Sequence, residues 1–523
     1  MLLLCNKSSP RENSNVTVPH DLVCTLRCLR SLDMSHISIK ELPDSVGNLM
    51  HMRYLDLSHT DIKELPESIC SLCNLQTLIL VNCSKLLILP KGTKDLMNLR
   101  HLDLTGCWHL RSMPPYFGRL TSLQRLHRFI AGNEVGSGIS ELKDMNELRA
   151  TLCIDRVEDI INIEDAKEAN LKRKPYIHKL VLRWSRSQRV RDAIDEELLE
   201  CLEPHTSLRE LTIDVYPGAK LPNWMGDSQS HLESIEFIHC SYCKTLPPLG
   251  QLPFLKYLTI CMMLELESIG REFMGMLEVL NCPSITNLPK FPSLSDLLLD
   301  NCHERVLCSV HFLTSLSSLE ILNFRRVDLL PDGLLQPLTA LKKLKIKNLH
   351  RFKALQNELG VQDLQSLQRL EISCCPKLLS FAEKGLPSSL QHLSIDMCNT
   401  LKNLPSGLQN VFSLEELHIS KCPKIVSFPE EKLGISLKNL RLLSCANLES
   451  LPVRLHELRN LESLSIQSCP KLACLPASGL PASLRSLSIM ECALLKERCA
   501  EGGEDWPKIE HIPEKHIKSV LNE

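Results

Sequence analysis

Six leucines, Leu367, Leu390, Leu414, Leu437, Leu461 and Leu484, stand 23 or 24 residues apart, and each opens the same phrase. An apolar residue follows at offset 3 (Leu370, Leu393, Leu417, Leu440, Leu464, Leu487) and another at offset 5 (Ile372, Ile395, Ile419, Leu442, Ile466, Ile489). A cysteine follows at offset 8 (Cys375, Cys398, Cys422, Cys445, Cys469, Cys492). No other feature of the chain constrains the fold as strongly. A unit of this length cannot bury its apolar face alone, so neighbouring units must stack and share a continuous core. The apolar-polar-apolar tripeptide predicts one short strand per unit, and the strands of successive units are expected to form a parallel sheet.

The line L-x-x-L-x-L-x-x-C resembles the leucine-rich repeat. That resemblance implies an α/β leucine-rich-repeat solenoid, a horseshoe with a concave parallel β-sheet of about twenty short strands and a mostly irregular convex side. At 523 residues a globular chain would be expected to hold three or four domains, but a solenoid grows without that limit. Apolar residues make up 43% and aromatics only 4%, so the core is expected to be chiefly Leu and Ile. Cys83, Cys107, Cys240 and Cys302 also fall at offset 8, which reads as a column of small buried side chains and not as a disulfide framework. The formal net charge of −2 gives no global field for nucleic acid. Met1-Leu-Leu-Leu-Cys5 is too short for a secretory signal, and no stretch reaches the ~18 apolar residues of a membrane span. A cytoplasmic protein with reduced thiols is expected.

The phrase first appears at Leu29 and recurs at Met52, Leu75, Leu99 and Leu123. Leu-Pro steps such as Leu42-Pro43, Leu65-Pro66 and Leu89-Pro90 follow it, and proline there ends strand pairing and turns the chain onto the convex side. From Leu123 the steps stretch to 25, 29 and 31 residues, with helix-like charged runs at 163–171 and 193–200. The expected organisation is a poorly ordered segment 1–20, N-terminal repeats 21–131, irregular long repeats with helical insertions 132–205, C-terminal repeats 206–498, and a cap and tail 499–523. Register near 277–294 is open, because a 17-residue step falls there.

No phosphate loop, dinucleotide fingerprint or H-E-x-x-H occurs. The two C-x-x-C pairs, Cys70/Cys73 and Cys240/Cys243, lack the second pair a zinc site needs. No catalytic, cofactor-binding or metal-ligating residues are assigned, and the chain reads as a non-enzyme. Two charged features remain. Arg30, Arg53 and Arg100 share offset 1, while Asp33, Asp56 and Asp103 share offset 4. Either an intramolecular ion-pair ladder or a docking surface for another domain fits them. Lys342, Lys343, Lys345 and Lys347, with Arg325 and Arg326 one repeat earlier, form a basic cluster. It fits an acidic protein partner or a merely solvated face, and without stacking aromatics it does not fit nucleic acid.

Longer phrases narrow the resemblance. Glu41-Leu-Pro-Asp-Ser-Val-Gly-Asn-Leu49, Arg53-Tyr-Leu-Asp-Leu-Ser-His-Thr60, Leu180-Val-Leu-Arg-Trp184, Pro222-Asn-Trp-Met-Gly226, Leu246-Pro-Pro-Leu-Gly-Gln-Leu252 and Gly503-Glu-Asp-Trp-Pro-Lys-Ile509 are similar to the repeat region of plant intracellular nucleotide-binding leucine-rich-repeat disease-resistance proteins of the coiled-coil subclass. The likeness covers roughly residues 20 to 515. It implies recognition of pathogen effectors or of a guarded host protein, and restraint of a nucleotide-binding switch domain in full-length relatives. The alternative is a ubiquitin-ligase substrate-recognition subunit or another intracellular leucine-rich-repeat adapter. An extracellular receptor would want paired capping cysteines and G-x-I-P phrases.

Overall fold

A computed structural model describes residues 2–3, 27–185, 193–270, 273, 275–355, 361–381, 385–428 and 433–518. The chain divides into two compact units, Met1–Leu266 and Glu267–Glu523.

The first unit holds two parallel sheets. One runs in chain order through Leu2–Leu3, Ser31–Asp33, Tyr54–Asp56, Thr77–Ile79, His101–Asp103 and Arg125–Leu126. The next runs through Arg128–Ile130, Ala150–Asp155, Ile177–Arg183, Glu210–Asp214, Ser234–Ile238 and Tyr257–Cys261. The two part at His127, between Leu126, which pairs with Leu102, and Arg128, which pairs with Cys153. Apart from Leu2–Leu3, the expected N-terminal segment 1–20 lies outside the described residues. The second unit is one parallel run of eleven strands from Gly275–Leu280 to Glu514–Lys518. Parallel neighbours require a crossover for every strand, and the return segments supply it.

Equivalent positions stay in register from repeat to repeat: Leu344 pairs with Leu370, Leu370 with Leu393 and Leu393 with Leu417. The burial pattern of the strand Ser463–Gln467 alternates between buried and half-buried, so offsets 3 and 5 point inward and offsets 2, 4 and 6 lie on the open face. Near 277–294 the register resolves as Leu277 opposite Leu297 and Val279 opposite Leu299, with an irregularity between Gly275 and Met276. Returns are short, as expected. Pro43, Pro66, Pro90 and Pro222 stand directly before 3₁₀ helices Asp44–Asn48, Glu67–Ser71, Lys91–Asp95 and Asn223–Gly226. Proline fits there because its missing N–H is one the helix start leaves unbonded. The expected helical runs are helices at Ile163–Glu168, N-capped by Asn162, and Ala193–Cys201.

One column was not apparent from the sequence. The residue at offset 7 has positive φ in nearly every repeat, as at His36, His59, Asn82, Val215, Met262, Asn301, Asn323, Met397 and Ser444. It turns the chain inward just after the strand and delivers offset 8 to the core. There the thiols, buried at Cys83 and Cys107 and half-buried at Cys302, do more than fill space: Cys83 Sγ donates to Leu57 O at 3.0 Å, Cys107 Sγ to Leu80 O at 3.0 Å and Cys302 Sγ to Val279 O at 3.3 Å. Each acceptor is the offset-5 carbonyl of the preceding repeat. Thr60, at offset 8 of an earlier repeat, instead donates its hydroxyl to the offset-5 carbonyl of its own repeat, Leu57 O, at 2.8 Å.

The C-terminal end closes on Asp505, which is fully buried. Its carboxylate accepts from Leu475 N (2.9 Å), Arg498 Nε (3.1 Å) and Lys508 Nζ (2.7 Å), fixing the segment after helix Ala493–Arg498. Strand Glu514–Lys518 then covers Ser486–Met490 and carries Glu514, Lys515 and Lys518, and charge on an edge strand keeps it from pairing further.

Lys174 is buried at 1% exposure. Its amine donates to Leu142 O (2.6 Å) and Met145 O (3.2 Å), closing the end of the 3₁₀ helix Ile139–Leu142. Burial pushes its pKa down from 10.5 to about 8, against a smaller opposing pull from Asp144. Between those two values the unfolded chain holds the proton and the folded one does not, so stability gains as pH rises through that window. Relative to Lys174→Met, the native chain is expected to gain on the order of 3 kcal/mol from pH 7.5 to 10.5. Urea unfolding of both proteins across that range checks this, and a pH-independent difference would refute it.

Candidate functional site

The predicted cations of the second unit sit on two edges and one face. Lys342 precedes the strand Lys343–Lys347, while Lys343 and Lys345 stand on its open face and Lys347 ends it. Lys343 and Lys345 are not the uncompensated pair that their spacing implied. Glu320, on the neighbouring strand Ser318–Leu322, lies 2.6 Å from Lys343 Nζ and 3.2 Å from Lys345 Nζ. Burial raises the Glu320 pKa, but the hydrogen bonds from both lysines outweigh it and leave the carboxyl below its usual range. The acid that answers these lysines is therefore internal. Sequence spacing missed it because Glu320 is 23 residues away in the chain and one strand away in space.

Similar compensation continues along the face. Arg369 pairs with Glu371 at 3.4 Å, and His392 stands 3.1 Å from Glu416. His418 and Arg441 follow at the next two offset-4 positions. Burial holds the His418 pKa below its usual value, with Asp396 opposing and Arg441 assisting, and its Nε2 has no hydrogen-bond partner. These residues line a groove of about 280 Å³ across four strands.

In the first unit, no ion pair joins Arg30, Arg53 or Arg100 to Asp33, Asp56 or Asp103 among the described residues. The arginines fall just before their strands, and their carbonyls each accept two backbone N–H groups of the next repeat, as Arg30 O does from Arg53 and Tyr54. The aspartates turn back on their own chain. Asp33, Asp56 and Asp103 accept from the N–H two residues on, at 2.9 to 3.0 Å, and Asp103 also stands 3.3 Å from His127. The ladder reading is corrected, because offset 1 lies outside the strand that carries offset 4.

A charged network that the sequence reading did not single out crosses the second sheet of this unit. Asp155, 3% exposed, accepts from Arg128 Nε, from Arg183 Nη1 at 3.1 Å and from Cys153 Sγ at 3.2 Å. Arg183 Nε continues to Asp214 at 2.9 Å, which lies 3.6 Å from His239. Burial, with Asp155 adding to it, drives the Cys153 thiol well above its ordinary pKa, so it is a hydrogen-bond donor and not a nucleophile. Trp108, 62% exposed, lies over both guanidiniums at 5.3 Å from Arg128 and 5.8 Å from Arg183. Arg128 also donates to Cys107 O. The available signal was the charge closing three successive strand phrases, at Asp155, Arg183 and Asp214, but the stretched spacing there hides their alignment.

Cys240 and Cys243 are both buried, and Cys243 Sγ donates to Gly218 O at 3.3 Å. Burial, reinforced by Glu67, pushes the Cys70 thiol up to about 12, while Cys73 is exposed. Among the described residues no cluster of metal-ligating side chains occurs, and no helix is long and apolar enough to cross a membrane.

Comparison with known proteins adds the following. The family model of R13L1/DRL21 leucine-rich repeats matches residues 139–263, and the Leucine Rich Repeat model matches residues 51–72. The putative disease resistance RPP13-like protein 1 of Arabidopsis thaliana is 36% identical over 319 residues, 53% of this chain and 30% of that protein. Disease resistance protein RGA2 of Solanum bulbocastanum is 34% identical over 360 residues, 64% of this chain and 36% of that protein. The chain spans a fifth to about a third of the length of such relatives. Among solved structures, the leucine-rich-repeat ectodomain of the plant membrane receptor kinase GASSHO1/SCHENGEN3 from Arabidopsis thaliana has a TM-score of 0.38 at 16% identity, over 92% of this chain and 70% of that one.

The two parts of the Trp108 network are expected to differ in cost. Asp155→Ala leaves two arginines without their shared buried acid and is expected to destabilise by ~3–5 kcal/mol. Trp108→Ala removes only exposed cation–π contacts, worth ~0.5–1 kcal/mol each. Urea unfolding curves of the two variants measure both, and equal losses would show that Asp155 is not the keystone.

Proposed function

We propose that this chain, which belongs to the leucine-rich-repeat regions of plant nucleotide-binding disease-resistance proteins, is a non-enzymatic recognition module acting in the cytoplasm. Its open sheet face binds pathogen effectors or a guarded host protein. In full-length relatives the N-terminal repeats, bearing Arg30, Asp33, Arg53, Asp56, Arg100 and Asp103, dock against the nucleotide-binding switch domain and hold it inactive.

The observation that carries this reading is the contrast between core and face. From Lys343–Lys347 to Asn439–Leu443, offset 3 reads Leu344, Leu370, Leu393, Leu417, Leu440. Offset 2 over the same strands reads Lys343, Arg369, His392, Glu416, Asn439, and offset 4 reads Lys345, Glu371, Ser394, His418, Arg441. A constant scaffold under a varied polar face supports reading of a specific protein surface, since polar and charged groups set specificity more than affinity.

A variant carrying Lys345→Ser, Arg369→Ser, Glu371→Ser, His418→Ser and Arg441→Ser is the direct test. Each change is expected to alter stability by no more than about 1 kcal/mol, the upper range of a half-exposed ion pair. Co-precipitation from leaves expressing the full chain with individual pathogen effectors is expected to yield a partner for the native protein that the variant loses. Equal recovery of every partner by a folded variant would sink the assignment.

A further inference from the structure

We propose that the rim formed by Arg325, Arg326 and Lys347 takes an acidic, extended segment of a protein partner. The inference rests on the recognition reading above and names the chemistry of one contact. Three cations of the neighbouring strands are already answered: Lys343 and Lys345 by Glu320, Arg369 by Glu371. At the ends of the strands three others are not. Arg325, Arg326 and Lys347 are all exposed, and no ion pair holds any of them among the described residues.

Two features bring the three together. Asn323 N donates to Lys347 O at 2.9 Å, and Asn348 Nδ2 donates to Asn323 Oδ1 at 2.7 Å, so the ends of the two strands are tied side by side. Phe324 and Val327 are buried on either side of the arginine pair, which anchors the bend that exposes it. The acid nearest in sequence cannot neutralise the rim. Asp328 is committed to Arg351 at 2.7 Å and Lys353 at 2.9 Å in the following repeat. Asp300, one strand earlier, accepts from the neutral Asn323 amide and keeps its charge, so the group carries a net positive charge of two.

Three fixed like charges with a single acid nearby repel one another, and a ligand of opposite sign relieves that repulsion. Adjacent strands lie ~4.8 Å apart and an extended chain advances ~3.3 Å per residue, so cations on two neighbouring repeats match carboxylates one or two positions apart. Three cations are few for a polyanion backbone, and no exposed aromatic borders them for base stacking. An acidic protein segment fits better than nucleic acid or an anionic membrane.

Fluorescence anisotropy of the full chain with a labelled glutamate-rich peptide measures the contact at low and physiological salt. Binding that weakens with salt, and falls about tenfold or more in the R325E/R326E/K347E variant, is expected. The K402E/K424E/K471E variant, reversed at exposed lysines elsewhere on the same unit, is expected to bind as the native chain does. No binding, equal loss in both variants, or tighter binding to a single-stranded oligonucleotide or to phosphatidylserine vesicles would overturn the proposal. Circular dichroism separates misfolding from lost contact. If the peptide fails while an effector is still co-precipitated, the recognition reading stands and only this rim assignment falls.

Discussion

Everything in this fold depends on each repeat closing the core of its neighbour. A strand of five residues contributes two inward side chains, too few to hold a unit by itself, so the offset-3 and offset-5 layer must meet the same layer one strand away. That requirement explains the backbone strain at offset 7. A left-handed conformation costs a non-glycine residue roughly 1–2 kcal/mol. Burying the Leu or Ile side chains that the turn brings into register contributes ~1.5–3 kcal/mol each. The second term wins by a factor of several, which is why Val215 and Met262 are tolerated where Asn or Gly would sit without strain. The same turn sets a small donor at offset 8 against the preceding repeat's carbonyl. Cysteine satisfies it directly, whereas Thr60 turns its hydroxyl to Leu57 O of its own repeat and meets the next repeat at Cys83 Sγ, 3.4 Å away.

How much was readable in advance follows from where the period was constant. With a spacing of 23 or 24, columns align by counting, and the parallel sheet, its inward leucines and the buried cysteines were all legible. With steps of 25, 29 and 31, counting fails, and the Asp155–Arg183–Asp214 line passed unnoticed although each residue closes a strand phrase. The Arg30 and Asp33 rows show a second limit. Offsets gave the right repeats but not the direction of the side chains, and an arginine that precedes its strand does not meet an aspartate at the strand's end. Lys343 and Lys345 show a third limit. Their nearest acid in space is 23 residues away in sequence, and no local charge count would find it.

The ion pairs fall into two populations with different consequences. Those on the open face of the second unit are half-exposed, and such pairs contribute between zero and about 1 kcal/mol. The Asp155 carboxylate is 4% exposed in its side chain and answers two guanidiniums, so its loss would strand buried charge. Face charges can therefore be exchanged at little cost to folding, while the buried Asp155 carboxylate cannot.

The ends of the array obey the same logic as its middle. A last repeat has no neighbour, and its apolar layer must be covered by something that is not another repeat. Here Asp505 is withdrawn fully from solvent to hold Leu475, Arg498 and Lys508, and the chain then returns as a strand that carries Glu514, Lys515 and Lys518 beside apolar Ile517. Burying a carboxylate is costly unless it is paired and hydrogen-bonded, and this one has two cations and a backbone N–H. The cost is met where the core of the last repeat would otherwise meet water. Asp155 in the first unit and Asp505 in the second are thus the carboxylates whose removal strands buried cations, whereas the half-exposed charges on the open face of the second unit carry no such penalty.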